Sequence, residues 1–225
     1  MKHYFTKTDR ILWTVSTAAI IGSFLLFDRV NYLTLSASLL GVTSLIFNAK
    51  GNPFGQLLMV IFSILYGIIS YTFHYYGEMV TYLGMTAPMA LFALISWLRN
   101  PFQGNKAQVA VNRISRRELW LMLLLSAAVT VLLYFVLVYF HTANILPSTL
   151  SVTTSFMAVY LTFRRSPFFA IAYAANDLVL IGLWVLATLE DRAYLSVVIC
   201  FIMFFVNDLY GFINWRRMQQ RQTAA

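Results

Sequence analysis

The sequence predicts an all-α polytopic membrane protein with about eight transmembrane helices. Of its 225 residues, 60% are hydrophobic and only 11% are charged, whereas a soluble domain carries about 25% charged residues. This is too little charge to coat a soluble globule, so a soluble enzyme is excluded. The net charge of +8 does not indicate nucleic-acid binding, because the basic residues lie in short gaps between apolar runs.

Each predicted helix is a run of about 20 mostly apolar residues, the length that crosses a bilayer. The first run is interpreted as a retained helix rather than a signal peptide, because no small-residue cleavage site follows it. The first two runs are separated only by Asp28 and Arg29. The eight runs are Ile11 to Phe27, Val30 to Phe47, Phe54 to Tyr76, Met79 to Leu98, Leu119 to Phe140, Ala143 to Phe163, Phe168 to Leu189 and Ala193 to Trp215.

The basic residues predict the orientation of these helices. Alternate gaps between the runs hold 14 of the 16 Lys and Arg residues, and cytoplasmic loops carry such an excess. Both termini and the loop from Arg99 to Glu118 are therefore predicted to be cytoplasmic. We expect a multi-pass protein of the cell (inner or plasma) membrane.

The two halves of the chain contain similar short motifs at helix ends and turns, in the same order, which predicts an internal repeat. Asn52-Pro53-Phe54 and Ser166-Pro167-Phe168 each open a helix, Gly77-Glu78 and Glu190-Asp191 are expected to form outer turns, and Trp97 and Trp215 each precede arginine near a helix end. Two triplets of helices joined by one crossing helix are parallel, an arrangement known in transporters that bind substrate between their repeats. The predicted division is an N-terminal tail and extra helix (1–29), a first triplet (30–98), a loop and linking helix (99–142), a second triplet (143–215) and a tail (216–225).

A duplicated tripeptide is the main chemical signal within the predicted helices. Asn176-Asp177-Leu178 and Asn207-Asp208-Leu209 place two carboxyl groups at similar depths, roughly 13 and 11 Å from the cytoplasmic helix ends. Carboxyl groups at such depths almost always face the bundle interior or a water-filled cavity. The alternative is that each Asn-Asp pair only joins the last two helices by hydrogen bonds.

Other polar and aromatic residues in the spans are weaker candidates, and no catalytic motif is present. The sequence has no phosphate-binding loop, no G-x-S-x-G and no H-E-x-x-H. A single cysteine, Cys200, excludes an internal disulfide and a CxxC metal site. Pro88 predicts a kink in the fourth helix. We expect no enzymatic activity, no cofactor and no metal.

Several short motifs resemble the PnuC family of vitamin transporters. The run Tyr66-Gly67-Ile68-Ile69, then Tyr76-Gly77-Glu78-Met79, Pro88-Met89 and Trp97 is similar to the middle of that family, and Tyr194, Gly211 and Trp215 fit its last helix. The resemblance implies a three-plus-one-plus-three fold related to the SWEET sugar transporters. It also implies uptake of nicotinamide riboside, which a cytosolic kinase then traps by phosphorylation.

One departure from the family leaves the substrate open. Where well-known members carry W-x-x-W, this sequence has Ala170 and Tyr173. The leading hypothesis is a facilitator of nicotinamide riboside uptake. The alternatives are an ion-coupled transporter of thiamine, riboflavin or a deoxynucleoside, and a non-transporting membrane scaffold. Matching motifs and the tripeptide together predict a substrate site formed by Gln56, Tyr66, Asn176, Asp177, Trp184, Asn207, Asp208, Tyr210 and Asn214.

The expected partners follow from the same hypothesis. They are a small-molecule substrate and the lipid bilayer, with no nucleic acid. A homo-oligomer is possible, and the trapping kinase is a functional partner that need not bind the transporter.

Overall fold

The structure is a computed structural model that describes residues 4–72, 76–142 and 144–224. In this part of the chain eight helices are long and apolar enough to cross a membrane, which confirms the predicted number. Their order and bounds are α1 Lys7–Asp28, α2 Tyr32–Ala49, α3 Pro53–Thr72, α4 Tyr76–Arg99, α5 Arg116–Tyr139, α6 Ile145–Phe163, α7 Phe169–Ala187 and α8 Arg192–Ala224.

The predicted outer turn at Gly77-Glu78 is wrong. Both residues lie in the first turn of α4, which begins at Tyr76 rather than at Met79. A carboxylate near the start of a helix is favoured by the helix dipole. Glu78 is therefore as compatible with the first turn of α4 as with a turn after α3. The described part of the third span ends at Thr72. The last residues predicted for this span before Tyr76, 73–75, lie outside the described residues, as does the predicted start of the sixth span at Ala143.

The last helix is also longer than predicted, since it continues to Ala224 instead of ending at Trp215. The residues after Trp215 are mainly Arg, Gln and Met, which have high helix propensity. Loss of hydrophobicity marks where a helix leaves the membrane but not where it ends. The predicted tail is therefore mostly helical.

The helices pack in the same order within each triplet. In the first triplet α2 contacts α3 and α3 contacts α4, and in the second α6 contacts α7 and α7 contacts α8. Between the triplets, α2 packs on α8 and α4 packs on α6. The linking helix α5 packs on α6, while the extra helix α1 packs on α2 and α8. A repeat related by a two-fold axis would have these contacts, and the repeat itself stays a prediction.

Paired tryptophans join the triplets at the end of the bundle that holds both chain termini, which we call the terminal end. Trp97 of α4 donates its indole N–H to the carbonyl of Thr162 at 2.9 Å. Trp215 of α8 donates in the same way to the carbonyl of Asn48 at 2.7 Å. Both rings are fully buried and their centroids are 5.2 Å apart. Each triplet is thus bonded to the first helix of the other.

The loop between the triplets closes this end of the bundle. It contains a hairpin of two strands, β1 Pro101–Phe102 and β2 Asn105–Val109. Val109 donates its backbone N–H to the carbonyl of Gly51 at 2.9 Å, and Asn112 donates to the carbonyl of Arg165 at 3.0 Å. Gly51 and Arg165 both have positive φ, 67° and 57°, and each ends the turn after the first helix of its triplet. The loop therefore bonds to equivalent turns in both halves.

Candidate functional site

A small cavity lies where the two triplets meet inside the bundle. Its volume is about 40 Å³, and it is bounded by residues of α2, α3, α4, α6, α7 and α8. Polar and aromatic side chains face each other across it. The lining residues are Leu45, Met59, Phe62, Tyr82, Thr86, Ser155, Tyr173, Asn176, Asp177, Leu180, Phe201, Phe204 and Asp208.

The two carboxyl groups of the duplicated tripeptide meet at this cavity. Asp177 of α7 and Asp208 of α8 are 3% and 4% exposed, and their side chains interact with each other. Oδ2 of Asp177 has no hydrogen-bond partner within the described residues. A buried carboxyl oxygen without a partner is costly, so it is available to a ligand that enters the cavity.

Asn176 lies beside Asp177 and is fixed by α6. Its Oδ1 accepts hydrogen bonds from Thr154 Oγ1 at 2.8 Å, Ser155 Oγ at 3.0 Å and Ser151 Oγ at 3.4 Å. A side-chain amide has two further N–H donors. Since its oxygen is occupied by three hydroxyl groups, Asn176 can serve a ligand mainly as a donor.

Aromatic rings form the opposite wall of the cavity. Phe62 of α3 lies 6.2 Å from Tyr82 of α4 and 5.8 Å from Phe204 of α8, measured between ring centroids. Gly41 of α2 makes room for Phe204, because a Cβ atom there would lie 2.3 Å from the ring. These edge-to-face contacts hold a cluster of rings against the polar side of the cavity.

Tyr82 and Thr86 reach the cavity through a local irregularity of α4. Residues Tyr82–Thr86 form a π-helical segment, and Pro88 lies two residues after its end. Proline has no N–H to bond the carbonyl four residues before it and its ring clashes there, which accounts for the wider turn. Single π turns are frequent at functional sites, and here the turn contributes two of the lining side chains.

Asn207, the counterpart of Asn176, faces away from the cavity. Its Nδ2 donates to Ser16 Oγ of α1 at 2.9 Å and to the Met203 carbonyl at 2.7 Å. The contact with Ser16 joins the extra helix to α8. The structure therefore separates the two tripeptides: both aspartates meet, whereas the asparagines contact different helices.

Tyr66 and Trp184 line a second small cavity toward the opposite end of the bundle, with Asp28, Asn31 and Asp191 on its wall. The ring of Tyr66 lies 4.5 Å from that of Tyr82, which lines the central cavity. Tyr66 thus contributes to the boundary between the two spaces. Glu78, which sequence reasoning missed as a site residue, lies in a third cavity that shares Tyr82 and Leu180 with the central one.

The other predicted site residues lie outside the central cavity. Gln56 donates to Asn48 Oδ1 at 2.8 Å, near the tryptophan pair. Tyr210 donates to Asp9 Oδ1 at 2.5 Å, and Asn214 contacts Tyr210. Asp9 also pairs with Lys50 at 2.9 Å. Gln56 thus joins α3 to α2 and Tyr210 joins α8 to α1, so the structure does not bring these residues to the aspartates.

Sequence reasoning also missed most of the aromatic wall. In the sequence its residues cannot be told apart from the many other aromatic residues of the spans, and only their packing distinguishes them. They are Phe62, Tyr82, Phe201 and Phe204. Pro88 was the available signal for Tyr82 and Thr86, since the carbonyls that a proline leaves unbonded lie in the turn before it.

In the part of the chain that the structure describes, no group of three or more His, Cys, Asp or Glu side chains is arranged to hold a metal ion.

Comparison with known proteins identifies the family. The model of the nicotinamide mononucleotide transporter family matches residues 31–217. The chain belongs to this family. A curated relative, the nicotinamide riboside transporter PnuC of Neisseria mucosa, is 26% identical over 220 residues, which cover 95% of this chain and 82% of the relative.

The fold agrees with a solved member of the family. The crystal structure of the vitamin B3 transporter PnuC matches with a TM-score of 0.84 at 22% identity, covering 97% of this chain and 94% of that one. The predicted family and eight-helix fold are therefore confirmed. The family consists of membrane transporters, so the chain is a multi-pass transport protein and not an enzyme.

Family membership makes the departure at W-x-x-W informative. Tyr173, at the second of the two positions, lines the central cavity. Ala170, at the first, is fully buried in the cluster around Trp97, Trp215 and Phe169. One position of the motif is thus an aromatic side chain at the cavity, and the other is occupied by a small residue in the core.

Proposed function

We propose that this transporter is a facilitator for uptake of nicotinamide riboside and that the central cavity is its binding site. The observation that carries the proposal is the pair Asp177 and Asp208 facing a wall of aromatic rings. Nicotinamide riboside has a cationic pyridinium ring, an amide and ribose hydroxyl groups. The relative from Neisseria mucosa, a nicotinamide riboside transporter by name, covers nearly the whole chain.

The cavity supplies a partner for each part of this substrate. Two adjoining carboxyl groups can share one proton and keep one negative charge, which would balance the cationic ring. Stacking of the ring on Tyr82, Tyr173 or Phe62 would add a cation–π contribution of about 0.5 to 2 kcal/mol. The Asn176 amide and the Thr86 hydroxyl suit the ribose hydroxyls and the carboxamide.

Binding would require the helices around the cavity to separate. The cavity measures about 40 Å³, whereas pockets for small molecules typically measure about 300 to 1,000 Å³. We infer that entry of substrate moves the triplets relative to each other, and that the π segment of α4 adapts during this movement. Alternating access in repeat-built transporters proceeds by such rigid movements around a central site.

We further propose that transport is passive and directed into the cell. Both termini and the loop between the triplets would face the cytoplasm of a cell (inner or plasma) membrane, because 14 of the 16 basic residues lie on that side. A cytosolic kinase would trap the substrate after entry. A homo-oligomer stays an open prediction.

Uptake into liposomes that contain the purified protein tests this proposal. Labelled nicotinamide riboside should enter until its internal concentration equals the external one, while protein-free liposomes stay empty. Accumulation above the external concentration that disappears when a proton or sodium gradient is collapsed would contradict passive transport. Uptake of thiamine, riboflavin or a deoxynucleoside without uptake of nicotinamide riboside would contradict the proposed substrate.

A further inference from the structure

A groove of about 950 Å³ lies at the terminal end of the bundle, away from the central cavity. Its walls are the loop before α5, the first turns of α5, the turn before α7 and the extension of α8 beyond Trp215. Arg113, Arg116 and Arg216 line it, together with apolar residues that include Leu119 and Phe168. Neither the predicted substrate site nor the transport proposal uses these residues.

The positive charge of the groove is not neutralised by neighbouring acids. Arg113 Nη2 donates to Thr223 Oγ1 at 3.4 Å and Arg216 Nη1 donates to Gln219 Oε1 at 2.8 Å, and both partners are uncharged. The side chains that line the groove include no Asp or Glu among the described residues. The nearby Glu118 forms an ion pair with Arg164.

The backbone adds to this positive potential. Arg116, the first residue of α5, and Phe168, the N-cap of α7, both line the groove. The N-terminus of a helix presents unpaired N–H groups and a partial positive charge, which favour anions.

The floor of the groove is apolar and continues onto the outer surface of the bundle. Leu119 and Phe168 are 45% and 51% exposed, and Leu124 and Leu132, farther along α5, are 68% and 65% exposed. α5 has a mean hydropathy of 2.7 over its most apolar window, so this surface faces lipid. A molecule bound at the arginines would thus lie at the edge of the bilayer.

We propose that this groove is a binding site for the headgroup of an anionic phospholipid, with the acyl chains along α5. The three arginines and two helix N-termini would hold the phosphate, because guanidinium groups bind phosphate through paired hydrogen bonds. The apolar floor favours a lipid over a soluble phosphate compound. Basic pockets at the cytoplasmic ends of membrane helices suit such headgroups. The bound lipid would join α5, α7 and the extension of α8.

Thermal unfolding of the purified full-length protein in detergent tests this site. Phosphatidylglycerol should raise the unfolding temperature by several degrees, whereas phosphatidylcholine and glycerol 3-phosphate at the same concentration should not. The triple variant R113Q/R116Q/R216Q should lose the shift. The matched control K106Q/R217Q/R221Q removes the same charge from exposed positions that do not line the groove, and it should keep the shift.

Native mass spectrometry provides a second readout. Wild-type protein and the control triple should retain one bound phosphatidylglycerol, and the groove triple should not. If the groove triple does not fold, the single variant R116Q should show reduced retention of the lipid. Equal shifts with phosphatidylcholine or glycerol 3-phosphate, or equal lipid retention in the two triple variants, would overturn the proposal.

Discussion

Asn176 and Asn207 occupy the same place in the duplicated tripeptide, but their side chains contact different helices. Asn176 accepts hydrogen bonds from hydroxyls of α6 and lines the central cavity. Asn207 donates to Ser16 of the extra helix. The hydrogen bond of Asn207 thus joins α8 to α1 rather than to α7, as the structural alternative had it, and a ligand contact of Asn176 stays a prediction.

Replacement of either asparagine by leucine should separate these roles. Asn176→Leu should weaken substrate binding several-fold, because loss of a polar contact costs about 0.5 to 1.5 kcal/mol. Asn207→Leu should leave the affinity unchanged and lower the unfolding temperature, because hydrogen bonds between membrane helices contribute about 0.6 kcal/mol on average. Calorimetric binding and a thermal scan on the same preparations measure both effects. Weakened binding in Asn207→Leu alone would reverse the assignment.

The aspartates show what could be predicted at the scale of residues. A carboxyl group deep in an apolar helix is costly wherever it lies, so Asp177 and Asp208 could be found from the sequence alone. The partner of Asn207 could not, since Ser16 lies 191 positions away. Tyr210 was also predicted at the site, but its hydroxyl bonds Asp9. In both cases the deciding contact is with α1, whose packing position the apolar pattern does not encode.

At the scale of elements, α4 departs from a regular helix in its interior. Its start at Tyr76 brings Glu78 into the span, and its π segment places Tyr82 and Thr86 at the cavity. An irregularity of the helix before Pro88 could be predicted by backbone chemistry. The direction in which the wider turn moves its side chains depends on packing against α3 and α6, so the sequence did not reveal it.

Pro88→Ala tests the role of this irregularity. Alanine restores the missing N–H and removes the ring, and an interior proline costs a helix about 3 kcal/mol. The variant should therefore unfold at a higher temperature. If a regular α4 moves Tyr82 and Thr86 away from the cavity, substrate binding should weaken by several-fold. Leu91→Ala, at an exposed position of the same helix, is a control for a change of side chain alone. Unchanged binding in a stabilised Pro88→Ala protein would contradict a role for the π segment.

At the scale of the whole molecule, the two triplets contact each other in matching ways. Trp97 bonds the end of α6 and Trp215 bonds the end of α2. The sequence predicted the similarity of these segments because proline turns and tryptophans recur in the same order. It did not predict that the loop between the triplets bonds the turns at Gly51 and Arg165. Those hydrogen bonds join backbone groups, which every residue carries, so no sequence pattern marks them.

The orientation in the membrane can be tested by cysteine labelling. In a Cys200→Ser background, Lys106→Cys should react with a membrane-impermeant thiol reagent only after the cells are permeabilised. Glu190→Cys, an exposed position in the turn between α7 and α8, should react in intact cells. Both positions lie in solvent-accessible segments, so each is a control for the other. The opposite pattern would place the termini and the loop outside the cell.

The central claim is that nicotinamide riboside binds between Asp177 and the aromatic wall. Its most direct test is a calorimetric titration of nicotinamide riboside into the wild-type protein and into Asp177→Asn, with Glu190→Gln as the control for loss of an acid outside the cavity. We expect binding to the wild type, an affinity about tenfold lower in Asp177→Asn, which corresponds to about 1.4 kcal/mol, and no change in Glu190→Gln. Absence of binding to the folded wild-type protein, or equal affinities in all three proteins, would contradict it.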